Sequence, residues 1–341
     1  MKFAMHMIGL LALLAIASTA TACLPQEHAL SRATDHMLVH DYQTAETILD
    51  SLAAANPDCA DIHYSRMVLY YAWLDDFGTV DSLRPFFIDA LDSTLHLSAK
   101  ALKKNDKDAW AHYYKGTAHT YRSLFRSYTE GIGMGNVRAL YRDASSGIDE
   151  MKKAGKLDPG MNDVLLGVGK YLNWRGGHLP WPFSSSSDQK KGIRKMEEGF
   201  RKGLRWHPGG VQALGSIYMH EKRYDEVLTI AEPMMEKYPN SRFFSILVAK
   251  AYMYKGDHAR ADSLFTLIQK RMSRDERNSR FVDLKVRRWI AELRLMQGRK
   301  SEACTLATEL IERKYPGIHP DWLRRKLKSP RKTRKTACRD R

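Results

Sequence analysis

A 34-residue period across residues 211–268 constrains the fold of this chain more than any other feature. Gly215 and Ala249 are 34 residues apart, and so are Val227 and Ala261. Small residues recur at fixed offsets where two helices would cross, and large apolar residues lie beside them. This pattern is typical of a helical-hairpin repeat, in which each unit buries its apolar face against its neighbours.

The repeat resembles the tetratricopeptide repeat (TPR) family. Its first half carries Leu214, Gly215, Tyr218, Tyr224, Val227, Ala231, Met234 and Pro239, and its second carries Val248, Ala249, Tyr252, Ala261, Phe265 and Ile268, with Gly256 at the turn. The resemblance implies an all-α fold, a right-handed superhelical array of helix-turn-helix hairpins. Weaker copies of the same offsets extend over residues 23–315 and predict about six or seven hairpins.

The N-terminus predicts export. Residues 1–22 combine a short positive end, an apolar run at 8–17 and small residues before Cys23. These are the parts of a secretory signal peptide, and the apolar run is too short to span a bilayer. Ala22 and Cys23 also fit a bacterial lipobox, although Ala20 replaces the usual aliphatic residue. Lipidation of Cys23, with a tether to the bacterial envelope, and simple cleavage into the periplasm both remain open.

The C-terminus predicts a basic, disordered tail over residues 316–341. Residues 322–341 hold ten Lys or Arg against a single Asp, a large share of the formal charge of +16. Pro330 and two threonines argue against a helix there. An anionic membrane surface or cell-wall polymer would suit such a tail in an exported protein, whereas export argues against a specific nucleic-acid partner.

One irregular stretch, residues 175–188, interrupts a repeat between its two helices. It reads RGGHLPWPFSSSSD, where a TPR hairpin normally has a short turn. Loops of this length in compact folds are often functional, so His178, Trp181 and Phe183 could form a lid or a contact point. The alternative is that Trp181 and Phe183 fold back and fill the groove.

Motifs for chemistry are missing from the sequence. His36 and His40, and likewise His112 and His119, share a helix face, but neither pair has the context of a zinc site. We therefore expect no metal, no cofactor and no enzymatic activity. The cysteines form no Cys-x-x-Cys motif. Cys304 is expected as a small buried apolar residue, and the disulfide status of Cys59, Cys304 and Cys338 stays open.

The resemblance also implies which residues line the inner, concave face. Carried over by offset, the binding positions are Met219, His220, Ile246, Lys250, Met253, Tyr254, Arg288, Glu292 and Leu295. A mixture of apolar and cationic groups would suit a peptide or amphipathic helix with acidic residues, which predicts a protein–protein interaction scaffold. The alternative is a small-molecule binding protein with a pocket closed by the 175–188 insertion. An enclosed apolar pocket near Trp174 and Trp181 would favour that alternative.

Overall fold

The computed structural model describes residues 27–131, 133, 135–178, 186–274 and 279–339. Those residues contain α-helices and no strand. The helices are α1 (Glu27–Leu38), α2 (Tyr42–Ala55), α3 (Ala60–Phe77), α4 (Val80–Lys104), α5 (Ala109–Thr129), α6 (Val137–Leu157), α7 (Asp163–His178), α8 (Ser186–Lys202), α9 (His207–His220), α10 (Tyr224–Lys237), α11 (Arg242–Lys255), α12 (His258–Met272), α13 (Arg280–Met296), α14 (Lys300–Glu312), α15 (Pro320–Lys326) and α16 (Lys328–Ala337). None of the described helices is both long enough and apolar enough to cross a membrane.

Consecutive helices from α1 to α14 pack as helical hairpins, which confirms the predicted all-α array. The turn predicted at Gly256 ends α11 in the left-handed region at φ +97°, where glycine has no steric penalty. Directly after it, the Asp257 side chain accepts a hydrogen bond from the backbone N–H of Arg260 and caps α12. These local signals explain why the hairpin forms where the sequence pattern places it.

Glycines allow the closest helix crossing, between α5 and α6. A Cβ atom on Gly116 would lie 2.6 Å from the carbonyl oxygen of Gly147, and one on Gly147 would lie 2.5 Å from the carbonyl oxygen of Gly116. Real Cβ contacts are not this short, so a side chain at either position would push the helices apart. Beside this crossing, Ile148 and Met151 are buried in the core.

The array folds back so that its first helices meet its last ones. The hydroxyl of Tyr238 donates to Asp35 of α1 at 2.8 Å, and the backbone N–H of Arg242 donates to the ring nitrogen of His40 at 3.0 Å. Farther along, Lys285 of α13 donates to Asp76 of α3 at 3.0 Å. The N-terminal hairpins are therefore joined to the C-terminal ones, and the inner faces of the hairpins enclose a common interior.

The prediction of a disordered tail was wrong. Residues 320–337 form α15 and α16, which pack against the last hairpin. Trp322 is only 4% exposed, and Cys338 forms a disulfide with Cys304 of α14, whose disulfide status the sequence left open and which is buried as expected. Pro330 lies in the first turn of α16, where the missing N–H has no helical partner to lose. Cys59 is also disulfide-bonded.

The irregular stretch predicted at 175–188 is helical at both ends. Helix α7 continues to His178, and α8 already begins at Ser186. Arg175 forms an ion pair with Asp188 at 2.5 Å, which links the two helices across the connection. The interruption is therefore shorter than predicted, because this ion pair favours one more turn of α7.

Candidate ligand cavity inside the helical array

A cavity of about 730 Å³ occupies the interior of the array. Most of its walls come from the first helix of every hairpin, α1, α3, α5, α7, α9, α11 and α13. Examples are Met37, Tyr71, Trp174 and Met219. Tyr42 of α2, Ala144 and Met151 of α6, and Lys326 of α15 also line it. The volume lies within the range of about 300–1,000 Å³ that is usual for small-molecule sites.

The lining of the cavity is rich in aromatic rings. They are Tyr42, Tyr64, Tyr71, Tyr113, Tyr121, Tyr128, Tyr171, Trp174, Trp206, Trp289 and Phe243. Burial raises the pKa of Tyr121 to about 12, so its hydroxyl stays neutral at physiological pH. Such rings present a large apolar surface together with hydroxyl groups that can donate hydrogen bonds.

A buried carboxylate, Asp76, joins the helices that close the cavity. It accepts hydrogen bonds from Arg242 of α11, from Lys285 at 3.0 Å and from Tyr42 at 3.2 Å. Nδ1 of His40, whose other ring nitrogen accepts from the Arg242 backbone, donates to it at 2.9 Å. Burial alone would raise the pKa of Asp76, but Lys285, His40 and Arg242 hold it well below the ordinary value. The carboxylate is therefore ionised and fully used by its partners.

The cavity contains more cations than carboxylates. Six lysine and arginine side chains line it, against Asp75, Asp76 and Asp163. Asp163 accepts the backbone N–H groups of Arg205 and Trp206 at 2.9 and 3.1 Å, so it acts as a local cap. The positive charge of the interior is consequently not balanced by its own acidic residues.

Four of the cations, Lys170, Lys250, Arg288 and Lys326, have no carboxylate within 4 Å among the described residues. Burial lowers the pKa of Lys170 to about 8, and burial together with the charge of Arg288 does the same for Lys250. The pKa of Lys326 is lowered to about 8 and that of Arg288 to about 10, in both cases chiefly by burial. Lys170 lines the cavity and keeps exposed surface.

The structure brings together four of the residues that the sequence assigned to the concave face. Met219, Ile246, Lys250 and Arg288 all line the cavity. They come from α9, α11 and α13, the first helices of three successive hairpins. The TPR-based register therefore places these side chains on one common surface.

The remaining assigned positions lie elsewhere. Met253 is fully buried in the core between hairpins and has no surface to offer a ligand. The hydroxyl of Tyr254 donates to Glu292 at 2.7 Å, so these two side chains bind each other. His220 is exposed at the end of α9, outside the cavity lining. Leu295 packs against the small apolar cluster around Cys304.

The predicted insertion contacts and the predicted lipidation site lie outside the part of the chain that the structure describes. These are the side chain of His178, Trp181 and Phe183, and the proposed lipidation site Cys23. Trp174, which the sequence analysis paired with Trp181 as a marker of a small-molecule pocket, does line the cavity. The structure therefore tests only the Trp174 half of the condition for a small-molecule site, and the closing role of the insertion stays a prediction.

Sequence reasoning missed Trp289, Lys170 and Lys326. Trp289 corresponds to Leu247 of α11 once the eight extra residues before α13 are counted, and both line the cavity. A register widened by one position would have included it. No local signal marks Lys326, because it reaches the cavity only through the packing of α15, whose Trp322 lies in one core cluster with Leu284 of α13 and Leu310 of α14.

The histidine pairs do not converge on a common point. His36 bonds Asp41 at 3.1 Å, whereas His40 bonds Asp76. His112 contacts Glu150 at 2.5 Å, and His119 accepts from Arg122 at 2.9 Å. Within the described ranges, no group of three or more His, Cys, Asp or Glu side chains is arranged to hold a metal ion.

Comparison with known proteins adds little to the description of the fold. No protein-family model matches the chain, and no curated protein matches it. Among solved structures, the chain is similar to the crystal structure of the P58(IPK) TPR domain, at 14% sequence identity and a TM-score of 0.25. The match covers 92% of this chain and 99% of that one. The assignment as a TPR-like hairpin array thus rests on this chain's own helices and their 34-residue spacing.

Proposed function

We propose that this protein binds a small ligand in the cavity enclosed by its first helices. The observation that carries this proposal is the closure of the array, because α1 and α3 contact α11 and α13 and so convert a concave face into an interior. A site of about 730 Å³ with aromatic walls and a few charged groups has the usual composition of a small-molecule pocket. The proposed role is binding rather than catalysis.

A blocking substitution tests the cavity directly. Ser216 lines the cavity, and its hydroxyl donates to the Gln212 carbonyl four residues earlier. Ser51 makes the same type of bond to Thr47, but on the exposed face of α2. We expect Ser216→Trp to abolish calorimetric binding of decanoate and 1-decanol, at one molecule per native chain, and Ser51→Trp to leave it unchanged. Binding that survives Ser216→Trp would place the ligand elsewhere.

A partner protein held by the same inner face is the second candidate. Met219, Ile246, Lys250 and Arg288 share one surface, and their mixed apolar and cationic character would suit an acidic peptide. The two candidates differ in the size of the occupant. Two results together would favour the scaffold. An acidic peptide would bind the native chain with micromolar affinity but not the variant Lys250→Glu/Arg288→Glu, and decanoate would not bind the native chain.

We place the protein in the bacterial cell envelope, on the strength of the N-terminal signal pattern. Lipidation of Cys23 would anchor it there, and mass spectrometry of the mature N-terminus tests this, since an unmodified Cys23 would end the lipoprotein proposal. The folded C-terminus still exposes cations, among them Arg325, Lys328, Arg331 and Lys335. These could contact an anionic membrane surface or cell-wall polymer. Sedimentation with vesicles that contain anionic lipid, compared with neutral vesicles, measures that contact.

A further inference from the structure

Three cations from three different helices meet at one wall of the cavity. Lys250 comes from α11, Arg288 from α13 and Lys326 from α15, and all three line the interior. Lys250 Nζ lies 4.3 Å from the centroid of the Trp289 ring, and the guanidinium carbon of Arg288 lies 4.3 Å from the same centroid. We call Lys250, Arg288 and Lys326 the cationic cluster.

The cationic cluster forms no ion pair with a carboxylate of the described residues, although the charges of Glu292 and Asp75 partly offset the effect of burial on its pKa values. The nearby carboxylate of Glu292 accepts hydrogen bonds from Tyr254 at 2.7 Å and from Ser329 at 3.1 Å, and it forms no ion pair with the cluster. By contrast, Lys285 is one helical turn from Arg288 and is paired with Asp76. The array therefore pairs Lys285 of α13 directly with a carboxylate, whereas Arg288 has only the more distant charge of Glu292 in the part of the chain that the structure describes.

Partial burial of like charges without an anion is unfavourable unless something else compensates for it. Contact with the face of Trp289 gives part of that compensation, since a cation is attracted to the ring. Arg288 uses only its Nε atom, in a long 3.5 Å bond to the carbonyl oxygen of Lys285. Both terminal nitrogens of its guanidinium stay available, in the fork geometry that suits two oxygens of a carboxylate or phosphate.

No second cluster of three cations lines the rest of the cavity among the described residues. On the walls formed by α3, α5 and α11 the lining includes Val68, Tyr71, Tyr121, Phe243 and Leu247. These side chains favour an apolar or aromatic body. The charged end and the apolar walls belong to a single space.

We infer that the ligand is an amphiphilic oxyanion, whose carboxylate or phosphate binds the cationic cluster and whose apolar body lies against the aromatic walls. This inference rests on the proposed function and adds the chemical class of the ligand. Arg288 would hold two oxygens in its plane, and Lys250 and Lys326 would donate from their own helices. The ring of Trp289 contacts two of the three cations, Lys250 and Arg288.

A series of probes that share one chain and differ in the head group tests the inference. Decanoate, decyl phosphate and 1-decanol are titrated calorimetrically into the native protein, with inorganic phosphate as the head group alone. We expect decanoate or decyl phosphate to bind at least about tenfold more tightly than 1-decanol, because hydrogen bonds to charged groups contribute more than neutral ones. Whichever of decanoate and decyl phosphate binds more tightly shows whether the natural ligand carries a carboxylate or a phosphate.

Matched variants then assign the charge. Lys250→Gln and Lys326→Gln should each weaken binding of the preferred anion by about tenfold and leave 1-decanol unchanged. Lys255→Gln is the control, because Lys255 is on the same helix as Lys250 but pairs with Asp225 on the outer surface. Two variants on separate helices guard against a local folding defect, which thermal melting would reveal.

The outcomes separate the two proposals. Equal affinity for decanoate, decyl phosphate and 1-decanol would overturn the oxyanion inference, while the cavity would remain a binding site. Binding of inorganic phosphate as tight as that of decyl phosphate would show that the apolar body contributes nothing, and would also overturn it. If none of the probes binds, the proposed function fails together with the inference.

Discussion

Lys250 of α11 and Trp289 of α13 form a cation–π pair across the inner face of two neighbouring hairpins, with 4.3 Å between Nζ and the ring centroid. A lysine placed this way can rotate toward a ligand without losing its contact with the ring. Arg288 covers the same ring from its own helix. The pair therefore links the repeat architecture, which stacks α11 on α13, to the charged end of the cavity.

Removal of the Asp76 carboxylate should destabilise the whole array. Asp76→Asn removes the buried anion that Lys285 and Arg242 share, and His40 loses a charged hydrogen-bond acceptor. Because an uncompensated buried charge is costly, we expect the free energy of unfolding to fall by about 3–5 kcal/mol. Urea denaturation followed by circular dichroism measures it.

The matched control for that substitution is Asp58→Asn, which removes an exposed ion pair with Lys100. Exposed pairs of this kind contribute little to stability, so its urea midpoint should match the native one. Equal midpoints for Asp76→Asn and Asp58→Asn would show that the buried network does not hold the array closed.

The Cys304–Cys338 disulfide should stabilise the C-terminal helices through the unfolded state. It closes a loop of 34 residues, and constraints of that length typically contribute about 3–4 kcal/mol. We expect Cys304→Ser/Cys338→Ser to lower the free energy of unfolding by about that amount. The comparison is made without reductant, so that the other disulfide at Cys59 stays intact. A midpoint unchanged from the native protein would argue against the bond.

The hairpins could be predicted from the sequence because their determinants are local. Gly256 ends α11, Asp257 begins α12, and the spacing of Val227 and Ala261 repeats within a single period. Each of these signals acts over a few residues or one repeat. A chain with such signals forms hairpins regardless of what lies far along the sequence.

The closure and the complete site could not be predicted in the same way. Lys285 and Asp76 are 209 positions apart, and no repeat offset relates them. The register gave Lys250 and Arg288 but neither Trp289 nor Lys326, because the last of these depends on the docking of α15. High charge favoured disorder for that segment, whereas burial of Trp322 and a distant cysteine determine its fold.

The crossing of α5 and α6 should not tolerate a methyl group. In Gly147→Ala the new Cβ would lie 2.5 Å from the Gly116 carbonyl oxygen, so the helices must separate. We expect a loss of about 1–3 kcal/mol in the free energy of unfolding, as for other overpacked sites. Gly133→Ala is the control, because no atom lies within 4 Å of its added Cβ, and it should change stability by less than about 0.5 kcal/mol. Similar urea midpoints for both variants would contradict the close crossing.

Anion binding in the cavity should weaken as the pH rises from about 7 to about 9. The pKa of Lys250 and that of Lys326 are lowered to about 8, chiefly by burial, and Lys170 in the same cavity behaves alike. These lysines are protonated at lower pH and lose their charge as the pH passes 8, whereas decanoate stays ionised throughout. A lysine attracts the anion only while it is charged, whereas Arg288, with its pKa at about 10, keeps most of its charge. The affinity for decanoate, measured by calorimetry at each pH, should therefore fall over this range without being lost.

Two controls make that pH dependence specific to the cavity. Tyr121, with its pKa near 12, stays neutral throughout, so the affinity for 1-decanol should not change with pH. The variant Lys250→Gln/Lys326→Gln should bind decanoate weakly at every pH, with a flatter profile, because only Lys170 still titrates there. An affinity for decanoate that is constant across the range in the native protein would mean that the lysines of the cationic cluster do not hold the anion.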